Sequence, residues 1–248
     1  MNSPSSSREQ IAARHLILAL EASGDAVSVA VMRDGSCIAS NEHKARFGHA
    51  EHLVGLVSDA LAEAKAEFSQ ITHIAAGCGP GSFTGLRVCL AAAKGYVLAI
   101  NAKPVGVNGL AALGVNALSD SVCDPDPNSR VICFADTRRH SAFVQEFDGC
   151  AQALSSVSDI GFDQLPGWLE EAYKRSDTGS VTLAGITEHL CSHIPAHEGV
   201  VQLSQPVNAA MIAHYAARAL RAPDQFPYTD FSPLYVVAPK LGPAKSQP

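Results

Sequence analysis

Residues 79–87 read Gly79-Pro80-Gly81-Ser82-Phe83-Thr84-Gly85-Leu86-Arg87, a glycine-rich turn between two apolar segments. Upstream, Ile71 to Cys78 has the composition of a short buried strand; downstream, Thr84 to Ile100 has that of a helix. A glycine turn between strand and helix gathers backbone N–H groups at a positive helix end, the usual setting for an anion. Pro80 stiffens the turn, and the glycines permit φ > 0 or close backbone approach. Two phosphate motifs can be tested on it, and both fail. A P-loop needs Lys-Ser/Thr after its last glycine, and Gly85 is followed by Leu86-Arg87. A dinucleotide fingerprint needs G-x-G-x-x-G, whereas Gly79, Gly81 and Gly85 are spaced G-x-G-x-x-x-G, and Asn101 to Gly106 offer no acidic ribose partner. The turn is therefore read first as a tight strand-to-helix connection.

Working outward, Leu16 to Glu21 reads as a buried strand. Val27 to Met32 alternates as a second, and Asp34-Gly35 is a hairpin turn into a third, Ser36 to Asn41. A helix from His49 to Ala66 carries Leu53, Leu56, Val57, Ala60, Leu61 and Ala64 on one stripe. Pro104 to Val107 is a further short strand. The helix after the glycine turn is apolar almost all round, and Arg87 and Lys94, seven apart, fall on nearly one face. Such a helix is buried on more than one side. The second side is either internal to this chain or covered by another protein, for which Ala91, Ala92, Gly95 and Ala99 allow close approach.

Asp120 to Ser129 is polar and reads as a surface link. Arg130 to Asp136 and Ser141 to Phe147 read as a hairpin around Thr137-Arg138-Arg139-His140. A helix follows near Phe162 to Lys174, then strands at Val181 to Gly185 and near Val200, and a helix from Val207 to Arg221. Strands, then helix, then strand, twice over, predicts an α/β protein of two related lobes. The boundaries are a disordered head at 1–14, an N-terminal lobe at 15–110, a C-terminal lobe at 111–222 and a Pro-rich tail at 223–248.

The chain has 248 residues, 47% hydrophobic and 17% charged, with a formal net charge of −6. This fits a folded protein and not a disordered one. Its Lys and Arg are scattered, so nucleic-acid contact is expected only with a partner's help. Seven cysteines without a C-x-x-C pair read as reduced thiols. Met1 to Gln10 lacks the apolar core of a signal peptide, and Lys94 and Gly95 interrupt the longest apolar run, Val88 to Ile100. The expectation is a cytoplasmic protein without a membrane span.

No catalytic constellation assembles from spacing. His49 and His52 make half a metal site. His189, His193 and His197 are spaced by four, but Pro195 should break a helix between the last two, leaving surface residues. Glu21 and Asp136 end corresponding strands of the two lobes, where an acidic group can face a ligand or only solvent. Ser82 lacks a G-x-S-x-G setting. No metal site is expected.

Leu18-Ala19-Leu20-Glu21-Ala22-Ser23, Ser28-Val29-Ala30-Val31, Gly48-His49-Ala50-Glu51-His52-Leu53 and Gly79 to Arg87 together resemble the TsaB (YeaZ) family. These are glycoprotease-like bacterial proteins of tRNA threonylcarbamoyladenosine biosynthesis. The resemblance is strongest from Leu16 to Val107, and continues weakly through Phe134-Ala135-Asp136-Thr137-Arg138 and Pro233-Leu234-Tyr235. It implies an actin-like ATPase (ASKHA, ribonuclease H-like) fold and a non-catalytic subunit that binds and activates TsaD. TsaD transfers threonylcarbamoyl to the adenosine beside the anticodon of ANN-decoding tRNAs, and the ATPase TsaE joins the assembly. On this resemblance the partner interface falls on the two N-lobe helices, at His49, Leu53, Leu56, Ala60, Val88, Ala91, Ala92, Gly95 and Ala99. ATP, ADP and metal belong to the partner subunits, tRNA is reached through the complex, and the lone chain can close on itself as a homodimer. Glu21-Ala22 stands where the family has Asp-Thr, and His49 and His52 are separated by two residues where TsaD-like metal binding needs three. Both departures favour a scaffold without its own site. The alternatives are an ATP-binding phosphotransferase or hydrolase of the same fold, or a peptidase.

Overall fold

Six consecutive apolar or enclosed residues make β1 (Leu16–Glu21), buried on both faces. That pattern marks the centre of a sheet, not its edge. It pairs antiparallel with β2 (Ala26–Arg33), which turns at Asp34-Gly35 into β3 (Ser36–Lys44). Both turn residues hold φ > 0, as the predicted hairpin requires. β4 (His73–Gly77) and β5 (Lys103–Val107) then add in parallel on the other side, giving the order β3-β2-β1-β4-β5.

The second sheet repeats the plan. β6 (Arg130–Asp136) is flanked by antiparallel β7 (Ser141–Asp148) and β8 (Ser158–Gly161) on one side. Parallel β9 (Val181–Ala184) and β10 (Val200–Leu203) lie on the other, in the order β10-β9-β6-β7-β8. Each first strand is central, and each fifth strand is an edge. The computed structural model describes residues 15–44, 49–119, 128–176 and 180–236. The head at 1–14 and most of the link at 120–129 lie outside the described residues.

The helices place the two sheets in five layers. α1 (His49–Glu63) and α2 (Phe83–Ile100) cover the outer face of the first sheet, where Leu53, Val57, Ala60, Cys89, Leu90 and Ala93 pack on Leu18, Leu20, Val29 and Val31. α3 (Gly109–Ser119) and α6 (Ala209–Ala219) lie between the sheets, against Ile17, Ala19 and Met32 on one side and Val131, Cys133 and Phe147 on the other. α4 (Leu165–Lys174) and the short α5 (Glu188–Cys191) cover the outer face of the second sheet with Leu165, Leu169 and Leu190. Two lobes with the same strand order and helix placement, joined through a shared central layer, bear out the two related lobes read from the sequence and are the actin-like fold that the resemblance implies.

α1 stops at Glu63 rather than Ala66 because Lys65 takes a left-handed conformation, φ 48°, and Ala66 N–H returns to the Leu61 carbonyl. α3, β8 and α5 have no counterpart in the sequence reading. After α6 the chain does not trail away. Thr229 and Gly106 exchange backbone hydrogen bonds of 2.7 and 3.0 Å, which straps the free edge of β5. Phe231 is buried in the first lobe's outer core, and Leu234 N–H donates to the Cys78 carbonyl at 2.7 Å.

Candidate functional site

Three places follow from the sequence reading: the glycine turn, the two acidic strand ends, and the outer faces of α1 and α2. The glycine turn is clasped to its neighbours. Ser82 N–H donates to the Ser23 carbonyl at 2.8 Å, Gly109 N–H donates to the Gly79 carbonyl at 2.8 Å, and Ser82 Oγ caps α2 by accepting from Gly85 N–H at 3.3 Å. Gly79 holds φ 95°, and a Cβ on Gly81 would lie 2.5 Å from the Ser23 carbonyl oxygen. The glycines therefore serve turn conformation and close backbone approach. Phe83 carries the Arg87 guanidinium 3.8 Å above its ring and meets Tyr235 of the tail, so the strap ends beside this turn. Thr84 is exposed at the same end of the helix.

At the first strand end, Glu21 is buried. Ser23 N–H donates to one carboxylate oxygen at 2.5 Å, and the other oxygen has no partner. Burial pushes the carboxyl above its ordinary range, against the pull of the Ser23 hydrogen bonds. Gly77 lies beside it on β4, and a Cβ there would fall 1.6 Å from the unpartnered oxygen. Cys78 and Cys89 share this pocket, and burial pushes the Cys78 thiol to about 11 and that of Cys89 well above its ordinary value.

The second strand end is arranged otherwise. Asp136 accepts from Arg138 N–H at 2.7 Å and from the Thr187 hydroxyl at 3.2 Å, and lies 2.9 Å from His189 Nδ1. Burial pushes its carboxyl up, but the Arg138 and His189 hydrogen bonds and the Arg138 charge outweigh it and hold the carboxyl below its usual value. Arg138 also pairs with Asp25, on the turn after β1, and so links the lobes. His193 stacks on Phe162 with ring centroids 4.3 Å apart, while His197 lies against Tyr173. The spacing of four therefore gathers no shared ligand set. Among the described residues, no group of three or more His, Cys, Asp and Glu is placed to hold a metal.

The helix faces correct part of the sequence reading. Leu53 is 1% exposed and Ala60 0%, because both point into the first sheet, so neither belongs to an outer surface. Leu56, Val88 and Ala92 are half-buried at the flanks, and the His49 side chain lies outside the described residues. Nor is α2 covered on several sides within this chain. Arg87, Ala91, Lys94, Gly95, Leu98 and Ala99 are exposed. Leu98 is 84% exposed and Val54 of α1 65% exposed. Neither residue was singled out in the sequence. A large apolar side chain on an otherwise small-residue stripe was the available signal. By length and apolarity Phe83–Ile100 would also pass for a membrane span, but its inner face packs on the sheet.

Residues 41–224 match the family model described as TsaD, tRNA N6-adenosine threonylcarbamoyltransferase. An uncharacterized protein of Mycobacterium leprae (strain TN) is 31% identical over 201 residues, covering 76% of this chain and 49% of that protein. The tRNA threonylcarbamoyladenosine biosynthesis protein TsaB of Escherichia coli (strain K12) is 30% identical over 131 residues, covering 53% of this chain and 54% of that one. The chain thus spans about half the length of the curated relatives it matches. Among solved structures, YeaZ from Pseudomonas aeruginosa superposes with a TM-score of 0.71 at 23% identity, over 89% of this chain and 99% of that one. The chain belongs to the TsaD family and, within it, resembles the proteins named TsaB and YeaZ.

Proposed function

We propose that this chain is a non-catalytic subunit of threonylcarbamoyladenosine biosynthesis, which binds and activates TsaD for transfer to the adenosine next to the anticodon of ANN-decoding tRNAs. The observation that carries this reading is the outward stripe of α2. Ala91, Gly95 and Ala99 recur every four residues, the spacing of a ridge onto which a second helix packs closely. Leu98 and Val54 stand beside it as exposed apolar anchors. Burying such side chains recovers roughly 25 cal/mol per Å² of apolar surface. Arg87 and Lys94 give the same face two positive charges that favour an acidic rim on the partner.

In this reading TsaE joins the assembly, nucleotide and metal sit on the partner subunits, tRNA is met through the complex, and the whole acts in the cytoplasm. The lone chain can hold its exposed helices together as a homodimer. Reconstitution tests the reading: modified tRNA is measured with TsaD and TsaE, with this chain, without it, and with Gly95→Glu/Leu98→Asp. Both substitutions lie on the surface, so the melting temperature should not move while co-elution with TsaD is lost and modification falls at least tenfold. Undiminished co-elution sinks the proposed interface. The same preparation titrated calorimetrically with Mg-ATP addresses the enzymatic alternative. Turnover by the isolated chain, abolished by Asp136→Asn, would replace this reading with a phosphotransferase or hydrolase.

A further inference from the structure

The tail after α6 is threaded tightly around the edge of β5. Phe226 lies in the core between the two sheets, and Phe231 in the core outside the first sheet. Between them Thr229 pairs with Gly106, which has no room for a side chain. A Cβ there would collide with the Thr229 hydroxyl and lie 2.9 Å from the Phe231 nitrogen. Phe231 holds φ 70°, a left-handed value that a bulky residue adopts only where its surroundings impose it. Leu234 N–H then donates to the Cys78 carbonyl at 2.7 Å. The strap is thus anchored up to the residue before Tyr235.

Tyr235 meets Phe83, the first residue of α2, with ring centroids 5.3 Å apart and planes inclined at 39°. Phe83 in turn carries the guanidinium of Arg87, one helical turn on, 3.8 Å above its ring. Tyr235 is 44% exposed and Arg87 is exposed, so this three-membered stack lies at the surface. Arg87 opens the outward stripe of α2 that continues through Ala91, Gly95 and Leu98 at helical spacing. It stands near the positive end of the helix dipole, which opposes a cation, and the first turn has no acidic residue to offset it. Among the described residues no carboxylate forms a salt bridge with it. Its charge is therefore unused within the chain.

We propose that Tyr235 is a positioning residue for the partner face: resting on the assignment of the α2 stripe to the TsaD contact, it holds the Phe83 ring, and through that ring the Arg87 guanidinium, ready for a carboxylate on TsaD. Tyr235 acts through its neighbours and does not itself touch the partner. A long side chain such as arginine loses rotamer freedom when it binds, and a stack that orders it beforehand removes part of that cost. The planar cation suits the task, because stacking occupies one face of the guanidinium and leaves its in-plane N–H groups to pair with two carboxylate oxygens. The strap thereby ties the charge on α2 to a segment that follows α6 in the chain.

Calorimetric affinity of the full chain for TsaD tests this through a double-mutant cycle. Arg87→Ala should weaken binding about tenfold, as loss of a close interfacial charge contact does. Tyr235→Ala should weaken it about threefold in the parent and leave it unchanged in the Arg87→Ala background, because its effect passes through Arg87. Tyr235→Phe keeps the ring and should restore the parent affinity. Both positions are at the surface, so melting temperatures should hold. Undiminished affinity in Tyr235→Ala overturns the proposal. So does an equal loss in the two Arg87 backgrounds, since the ring would then act through packing alone. Gly95→Glu/Leu98→Asp in the same assay separates this failure from that of the interface. If that pair leaves affinity intact, the α2 stripe is not the TsaD contact and both fall; if it abolishes binding while Tyr235→Ala changes nothing, only the role of Tyr235 falls.

Discussion

The two lobes share a strand order, yet they finish their first strands in opposite ways, and one neighbouring residue decides which. In the first lobe Leu20 pairs with Ala76, which sets Gly77 beside Glu21. With no side chain at residue 77, the carboxyl folds inward, is buried, and is covered by Ser23 and the glycine turn. In the second lobe Cys133 pairs with Ala184, which sets Thr187 beside Asp136. The hydroxyl and His189 meet the carboxylate there, and Arg138 carries its charge outward to Asp25. The first strand end has become core, and the second remains a polar cluster at the surface.

The comparison can be broken most severely at Gly77. Gly77→Ala leaves no room for Glu21, and urea unfolding should show a loss of about 3 kcal/mol or more. Restoration of most of that loss in Gly77→Ala/Glu21→Ala would establish that the carboxyl is the obstacle. Unchanged instability in the double variant would instead put the cost in the backbone.

Asp136→Asn comes next, at about 1–2 kcal/mol, because it weakens charge-assisted hydrogen bonds without creating a clash. The sign of its pH dependence is fixed by the lowered carboxyl. The folded value lies below the ordinary 3.8, so the contribution is complete above that pH and is lost as pH falls through the depressed value. The difference between parent and variant should therefore close in acid.

Glu21→Gln sharpens the contrast, since its slope is opposite. Its folded carboxyl lies above the ordinary 4.5, so stability in the parent declines as pH rises from there to the raised value. The amide should flatten that slope and gain about 1 kcal/mol at neutral pH. A parent stability curve indifferent to pH on that side would show that Glu21 is not held as described. The smallest effect belongs to Asp25→Ala. An exposed ion pair is worth about 0.5 kcal/mol or less, even one that joins two lobes. A larger loss at low salt would identify Arg138 as a true clasp of the cleft.

Much of the first lobe was legible because its signals are local. Asp34-Gly35 gives the hairpin, and Leu53, Val57, Ala60 and Ala64 carry a helical period that packs as expected. α3 was illegible for the reason that makes it central. Gly109 to Ser119 is apolar on nearly every side because it lies between two sheets, so no period distinguishes it. α2 has similar composition and the opposite fate, with one face open. The interface assigned to Leu53 and Ala60 failed on the same ground: an apolar stripe says that something covers it, not whether that is the chain's own sheet or another protein. The histidines at spacing four were legible as surface residues, and His189 and His197 are exposed, but the stacking of His193 on Phe162 and the approach of His189 to Asp136 were not.

By itself, then, the sequence determined those features whose cause lies within a few residues. These are the central apolar strands, the hairpin, the glycine turn, the repeated strand–helix order that predicts two lobes, and the string that places the chain in its family. Tertiary structure alone decided which apolar helix is enclosed and which is exposed, that the tail returns to strap β5, and that Glu21 is sealed while Asp136 is engaged. Burial and pairing of this kind depend on residues far apart in the chain, as when Gly77 admits Glu21 and Thr229 covers Gly106. Local propensity carries no information about such distant neighbours.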